Sequence, residues 1–351
     1  MRTIPHSRPL LGTEEQRALR QVLASGLLSQ GTEVLAFEHA MASALGRRHA
    51  AAVSSGTAAL HLALLTLGVG RGDRVALPSY ACAALVHAAS LTGAEPLLVD
   101  VDPATFNLDP DDLRRRLRRR TKAVIVPHMF GLPAPFEEIR ALGVPVIEDC
   151  ALALGSRYRG KPTGSLGVLS VASFYATKMI TTGEGGMVLG NQSGLLRKVK
   201  DLRSYDGRSR HRNRFNYKMT DLQAALGKVQ LDRLTAFVQR RRRLAAFYLE
   251  ALREGPWELP SEQEEHAFYR FVIRTHRYPT DRFLRRLQKR GIEARRPVFK
   301  PLHRYLGLRG FPGADEAFRR AVSLPLYPAL RRWEAERVAR ATRSVGRALN
   351  R

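Results

Sequence analysis

The run Ser173-Phe174-Tyr175-Ala176-Thr177-Lys178, followed by Thr182-Gly183-Glu184-Gly185-Gly186, gathers reactive side chains into one short length of chain. Lysine is scarce: of 58 basic residues, 9 are Lys and 49 are Arg. Lys178 sits in small and apolar company, with the Ser173 hydroxyl upstream and a glycine-rich turn downstream. An amine kept from water loses its proton more readily and can attack a carbonyl, which is the chemistry of Schiff-base lysines. The alternative is a solvated lysine at a strand end.

Other short runs complement it. Ser54-Ser55-Gly56-Thr57 closes one apolar run and opens another. It reads as a plain helix N-cap or as an anion seat, where free amides, small residues and hydroxyls meet a phosphate. Asp149, in Glu148-Asp149-Cys150, follows the apolar run Val144-Pro145-Val146-Ile147. It either caps a helix or meets a ligand at the carboxyl end of a strand, where it could hold a pyridine nitrogen protonated. His128 ends another apolar run, and Asn216 precedes a long helical stretch. A phosphate seat, a carboxylate for a pyridinium and a Schiff-base lysine on successive strand ends form the parts of a pyridoxal 5'-phosphate (PLP) site.

The elements that must position these residues follow a βαβ rhythm. Residues 50–53, 74–77, 96–101, 123–127, 145–148 and 169–174 read as strands, and 58–67 and 82–91 as helices. This alternation predicts an α/β fold with a mostly parallel sheet and its ligand site at the carboxyl ends of the strands. Residues 219–252 read as one long helix or two broken ones; beyond it lie a strand at 267–273, a helix at 280–290 and a terminal helix at 333–349. The change of pattern places a domain boundary near 240, giving a large domain over 1–240 and a small α+β domain over 241–351.

Composition narrows the class. The 351 residues, 44% of them hydrophobic, suffice for a large and a smaller domain. No apolar run reaches the roughly 18–20 residues of a membrane span, and the first residues carry no apolar leader pattern, so a cytoplasmic enzyme is expected. Cys82 and Cys150 form neither a disulfide framework nor a metal cluster, and no metal is expected. The net charge of +26 invites a nucleic-acid reading. The basic runs at 114–120 and 240–243 lack interleaved aromatics, however, and read as solvated helix faces rather than a nucleic-acid surface.

The chain resembles the DegT/DnrJ/EryC1/StrS aminotransferases, PLP enzymes of fold type I with the aspartate-aminotransferase-like architecture. The resemblance runs nearly end to end. It is carried by Leu28-Ser29-Gln30-Gly31, the segment from Ser54 to Leu60, Val99-Asp100-Val101-Asp102, Val146 to Asp149, Ser173 to Lys178, Gly183 to Gly186, Tyr217 to Ala225, and Ser323 to Pro328. It implies that Lys178 links to the cofactor and that Asp149 pairs with the pyridine nitrogen. It implies phosphate contacts from Gly56, Thr57 and Ser173, beside Ser55 of the anion seat, and an Asn216 that reaches the neighbouring subunit's cofactor in a homodimer. The implied substrates are a nucleotide-linked keto-sugar and glutamate as amino donor. Two positions depart from the family pattern. Cys82 stands where an aromatic ring usually stacks on the cofactor, and Leu152 where a glutamine usually bonds its phenolic oxygen; Tyr80 or His128 are candidate substitutes. Substrate contacts are expected from the small domain and nearby strand ends, with His128, Arg295, Arg296, His303 and Tyr327 as candidates. Amination of a cyclitol or an antibiotic intermediate, and a PLP-binding regulator that has lost catalysis, are the alternatives. A related dehydratase branch carries histidine at the position of Lys178.

Overall fold

The computed structural model describes residues 3–262, 265–276 and 279–350. Two helices, α1 (Thr13–Ser25) and α2 (Thr32–Ala44), lead into β1 (His49–Val53) and α3 (Gly56–Thr66). There follow β2 (Arg74–Pro78), α4 (Ala84–Leu91), β3 (Glu95–Val99), α5 (Pro110–Arg116), β4 (Thr121–Pro127), α6 (Phe136–Arg140) and β5 (Val146–Asp149). A short hairpin, β6 (Arg157–Tyr158) and β7 (Lys161–Pro162), precedes β8 (Leu169–Ser173), β9 (Gly186–Gly190) and α7 (Ser193–Arg203). The large sheet has seven strands in the order β1-β9-β8-β5-β4-β2-β3. The pairs among β3, β2, β4, β5 and β8 are parallel, while β9 runs antiparallel to both β8 and β1.

Continuous apolar runs make these strands, because helices cover both faces of the sheet. Residues 123–127 of β4 are all buried, as are all of β5 and β8. Helix α3 is apolar nearly all round, and eight of its residues are buried. Such a helix forms the interior of a domain rather than its surface.

The expected strand at 96–101 ends at Val99. There Asp100 turns aside, and its carboxylate accepts the amides of Gly313 and Ala314, both at 2.8 Å. Strand β9 was not anticipated, because its flanking glycines read only as a turn. The close approach explains those glycines: a Cβ on Gly186 would stand 2.3 Å from the Ser55 carbonyl oxygen.

The long stretch after residue 219 is two helices, α8 (Asp221–Asp232) and α9 (Leu234–Ala251), meeting at Arg233. Thr220 caps α8, accepting from the Gln223 amide at 3.2 Å. Its neighbour Asp221 faces the other way and caps α2, accepting from the amides of Gly31 at 2.8 Å and Val34 at 3.0 Å.

The smaller unit holds β10 (Trp257–Glu258), β11 (Phe271–Thr275), α10 (Thr280–Lys289), α11 (Leu302–Tyr305), α12 (Pro312–Arg320), β12 (Ala321–Leu324) and α13 (Arg332–Asn350). Its three strands form an antiparallel sheet with β11 in the centre. Helix α9 spans both units without a break. Phe237 and Val238 pack with α2 and β8, whereas Leu244, Ala245 and Tyr248 pack with β11 and α13. A division near 240 therefore falls inside a helix, where it passes from one core to the other. The N-terminal segment also crosses over: Ile4 packs in the smaller core, and its amide donates to the Gly291 carbonyl at 2.9 Å.

The arginine run at 240–243 is not a solvated face. Arg241 is 2% exposed and donates to the carbonyls of Tyr269 at 3.1 Å and Leu326 at 2.9 Å. Arg240 donates to the Leu330 carbonyl and Arg242 to that of His266. Buried guanidinium groups need several acceptors, and here carbonyls from the segments around His266 and Tyr269 and at 326–330 supply them. In the other run, Arg115 and Arg116 pair with Asp112 on α5. Among the described residues no helix is long and apolar enough to cross a membrane.

Candidate active site

A cavity of about 260 Å³ opens at the carboxyl ends of β1, β4, β5 and β8. Ser55, Gly56, Thr57, Cys82, Asp149, Leu152, Ser173 and Lys178 all line it. Glu184, Tyr175, Met129 and Leu85, none of which the sequence singled out, complete much of the wall.

Each group arrives on a different element. Ser55 caps α3, its hydroxyl accepting from the Ala58 amide at 3.1 Å. The first amides of a helix have no acceptor within it, and at α3 they belong to Gly56 and Thr57. Gly56 is needed for space, since a Cβ there would lie 2.8 Å from the Ser173 Cβ. Ser173 ends β8, so α3 and β8 meet at van der Waals contact with small residues on both sides.

Lys178 stands on the connection from β8 to β9. A turn bond from its amide to the Tyr175 carbonyl, 2.9 Å, shapes this loop. The bond from the Thr182 amide to the Phe174 carbonyl, also 2.9 Å, closes it. Lys178 is half-buried, and its Nζ lies 5.7 Å from the centroid of the Tyr269 ring.

Asp149 ends β5 and is 5% exposed. Its Oδ1 accepts from the Ala151 amide at 2.9 Å, the one hydrogen bond of this carboxyl among the described residues. Burial raises its pKa above the ordinary value; the Ala151 amide, Lys178 and His128 only partly offset that. A cationic N–H donor in the cavity would supply the missing compensation.

The remaining candidates lie elsewhere. His128 is fully buried: its Nδ1 accepts from the Ala134 amide at 2.9 Å, so its Nε2 donates to Glu148 at 2.9 Å. Glu148 also accepts amides from Leu166 and Gly167 and faces Arg47 at 3.7 Å. Burial would raise its carboxyl, but His128, Gly164 and Gly167 outweigh that and hold it below its usual range. His128 is thus a structural partner and not a cavity residue. His128, Glu148 and Cys150 offer ligand atoms within 4.8 Å of one another. The donors already on Glu148 leave that trio a structural knot.

His303 is also withdrawn. It bonds Ser79 Oγ at 2.7 Å through Nδ1, faces Asp315 at 3.3 Å and stacks on Phe311. Tyr327 is fully buried in the smaller core, and Tyr80 is fully buried and stacked on Phe106. Neither Tyr80 nor His128 takes the place left by the ring and the amide at Cys82 and Leu152. Arg295 pairs with Glu293, while Arg296 reaches Asp281. Asn216 is exposed and outside this chain's cavity.

The DegT/DnrJ/EryC1/StrS aminotransferase family matches residues 9–343. The chain belongs to this family. It is a PLP-dependent aminotransferase, and its mostly parallel sheet is that of the fold type I enzymes. It is 34% identical to the aminotransferase TlmJ from Streptoalloteichus hindustanus, over 99% of this chain and 100% of that one, with a TM-score of 0.94. The PLP form of a putative sugar aminotransferase, Spr1654 from Streptococcus pneumoniae, is 25% identical over 99% of each chain, with a TM-score of 0.94. Helicobacter pylori PseC, an aminotransferase involved in the biosynthesis of pseudoaminic acid, is 26% identical over 99% of this chain and 100% of that one, with a TM-score of 0.93.

The cavity of this aminotransferase fits the cofactor. Ser55, Gly56, Thr57 and Ser173 line the cavity at the start of α3, where the free amides of a helix N-terminus suit a phosphate. Asp149 is a buried carboxyl lacking a cationic partner, which a pyridinium would provide. Among the described residues Lys178 is the one lysine on the cavity wall. Cys82 and Leu152, the two departures from the family pattern, lie on that wall as well.

Proposed function

We propose that this aminotransferase transfers an amino group to a keto-sugar, nucleotide-linked, with glutamate as donor. The observation that carries the reading is the convergence of Lys178, Asp149 and the α3 N-terminus on one cavity. When bound, PLP supplies an electron sink for the bonds of the substrate's amine-bearing carbon. Asp149 would keep the ring nitrogen protonated through a charge-assisted hydrogen bond. Gly56, Thr57, Ser55 and Ser173 would hold the phosphate. Lys178 would be the residue that links to the cofactor. Its free Nζ would take the proton from the substrate carbon and later return one, as base and then acid.

The same reading makes the active unit a homodimer. Asn216, exposed and away from its own chain's cavity, would then serve the partner's cofactor. Residues 1–240 and 241–351 remain our division into PLP-binding and smaller domains, with α9 as the shared strut. A panel of nucleotide-linked keto-sugars, incubated with enzyme, PLP and glutamate and read by product mass, tests the substrate class. An aminated product from a nucleotide-linked sugar is expected. Amination of free cyclitols alone would overturn the reading.

A further inference from the structure

The lysine of the cavity rests on a buried tyrosine that no sequence motif marks. Tyr269 is 4% exposed and precedes β11, in a segment pinned to the turn after β4. There the amides of Ala267 and Arg270 donate to the carbonyls of Gly131 at 3.0 Å and Phe130 at 3.2 Å. The Tyr269 hydroxyl has two partners, Arg270 at 3.2 Å and Thr177 Oγ1 at 3.4 Å. Thr177 immediately precedes Lys178, whose Nζ lies 5.7 Å from the Tyr269 ring centroid. The Arg270 guanidinium also sits near this ring, 4.7 Å from its centroid.

The polar line continues away from the cavity. Arg270 donates to His6 Nδ1 at 2.9 Å, and the other ring nitrogen of His6 then donates to Ser323 at 2.9 Å. Arg241 approaches from α9 and binds the Tyr269 carbonyl. The charged groups facing Tyr269 are therefore Lys178, Arg270 and Arg241, all cations, with His6 held neutral behind Arg270.

We propose that Tyr269 is a positioning residue for Lys178: its ring is the surface against which the amine rests, and its hydroxyl, held by Arg270 and Thr177, sets the charge the amine meets when it gains or loses a proton. A ring face attracts a cation, and a phenolate oxygen at the edge of that ring would attract it more strongly. Burial alone would raise the phenol, but Arg270 and Lys178, with Thr177 and Arg241, outweigh it and bring it down to about 8. The hydroxyl thus changes charge within an enzyme's working pH range. The inference rests on the proposed role of Lys178.

The test is reductive methylation of the apo-enzyme with formaldehyde and cyanoborohydride across a pH series, with Lys178 and the exposed Lys289 read separately by peptide mass. In the wild type the Lys178 rate should show an inflection near 8. In Tyr269→Phe, which keeps the ring, that inflection should vanish and the rate on its alkaline side should change severalfold, with Lys289 unaffected. Thr177→Val, which removes one hydroxyl partner, should displace the inflection without abolishing it. Superimposable Lys178 profiles for wild type and Tyr269→Phe would overturn the inference. Borohydride treatment of the holoenzyme separates the two claims. If PLP is not fixed on Lys178 of the wild type, the proposed role of Lys178 fails; if it is fixed and the profiles still coincide, the inference alone fails.

Discussion

Gly56→Ala is the most direct probe of the phosphate seat. The added Cβ would lie 2.8 Å from the Ser173 Cβ and 3.0 Å from its Oγ, too close for the present spacing of α3 and β8. Overpacking of this kind costs about 1–3 kcal/mol. Alanine is a better helix residue than glycine by up to about 1 kcal/mol, so the apo-protein should lose only about 1 kcal/mol in denaturant unfolding. Cofactor affinity should suffer more. Moving the α3 amides off the phosphate sacrifices a charge-assisted hydrogen bond worth about 1.5–3 kcal/mol, a weakening of about 10- to 100-fold in a PLP titration. The contact involves the Ser173 Cβ, so Ser173→Gly should relieve it and Ser173→Ala should not. In a double-mutant cycle on apo-protein stability, Gly56→Ala with Ser173→Gly should show a favourable coupling of about 1–2 kcal/mol. Gly56→Ala binding PLP within about twofold of the wild type would refute the reasoning. So would a Ser173→Ala that rescues stability as well as Ser173→Gly.

Three further outcomes are expected. Asp149→Asn should slow turnover by roughly 10²-fold or more in steady-state assays. It should also stabilise the apo-enzyme near neutral pH, because burial raises the carboxyl's pKa and an ionised Asp149 therefore costs stability as pH rises through the folded value. Calorimetry of the two apo-proteins should show that advantage disappearing in acid. Glu148→Gln should cost about 3–5 kcal/mol in urea unfolding, because it strands the buried Arg47. His6 is pushed down to about 2 by burial, then by Arg270 and Arg295. The unfolded chain thus binds a proton that the folded one refuses, and stability should fall as pH drops below the ordinary histidine value of 6.5. His6→Gln, able to accept from Arg270 and donate to Ser323, should flatten that slope in thermal melts across pH.

Much of the large sheet is legible because parallel strands are buried on both faces and so appear as unbroken apolar runs, as at 123–127 and 146–149. The residues that line the cavity are legible for a related reason. Asp149, Ser173 and Ser55 stand where an apolar run stops, and that is where a parallel sheet exposes its carboxyl edge. Strand β9 escaped because the approach of Ser55 demands glycine at its start, and glycine is also the mark of a turn. His128 and His303 were misjudged for a different reason. A histidine at a strand end and one in a loop look equally available in sequence, and only the fold reveals Glu148 and Ser79 beside them. The run at 240–243 looked like solvent-facing charge, since nothing local tells which arginines will meet carbonyls from distant segments. Tyr269 left no signal at all, being one aromatic among several in an apolar run.

The crossing of the N-terminal segment into the smaller unit bears on how the molecule is made. His6 and Ser323 bond across 317 positions, and Ile4 pairs with a segment beginning at Gly291. At roughly 5–20 residues per second, a ribosome needs some 15–60 seconds to deliver that partner after Ile4 has emerged. The large sheet can assemble during that interval, but the smaller core cannot close, because one of its buried side chains waits at the other end of the chain. Contacts so distant in sequence slow folding. The support behind Lys178, which runs through His6 and Arg270, is accordingly among the last parts of the enzyme to form, and the nascent chain passes through a stage with its cofactor cradle assembled and its lysine platform still unbraced.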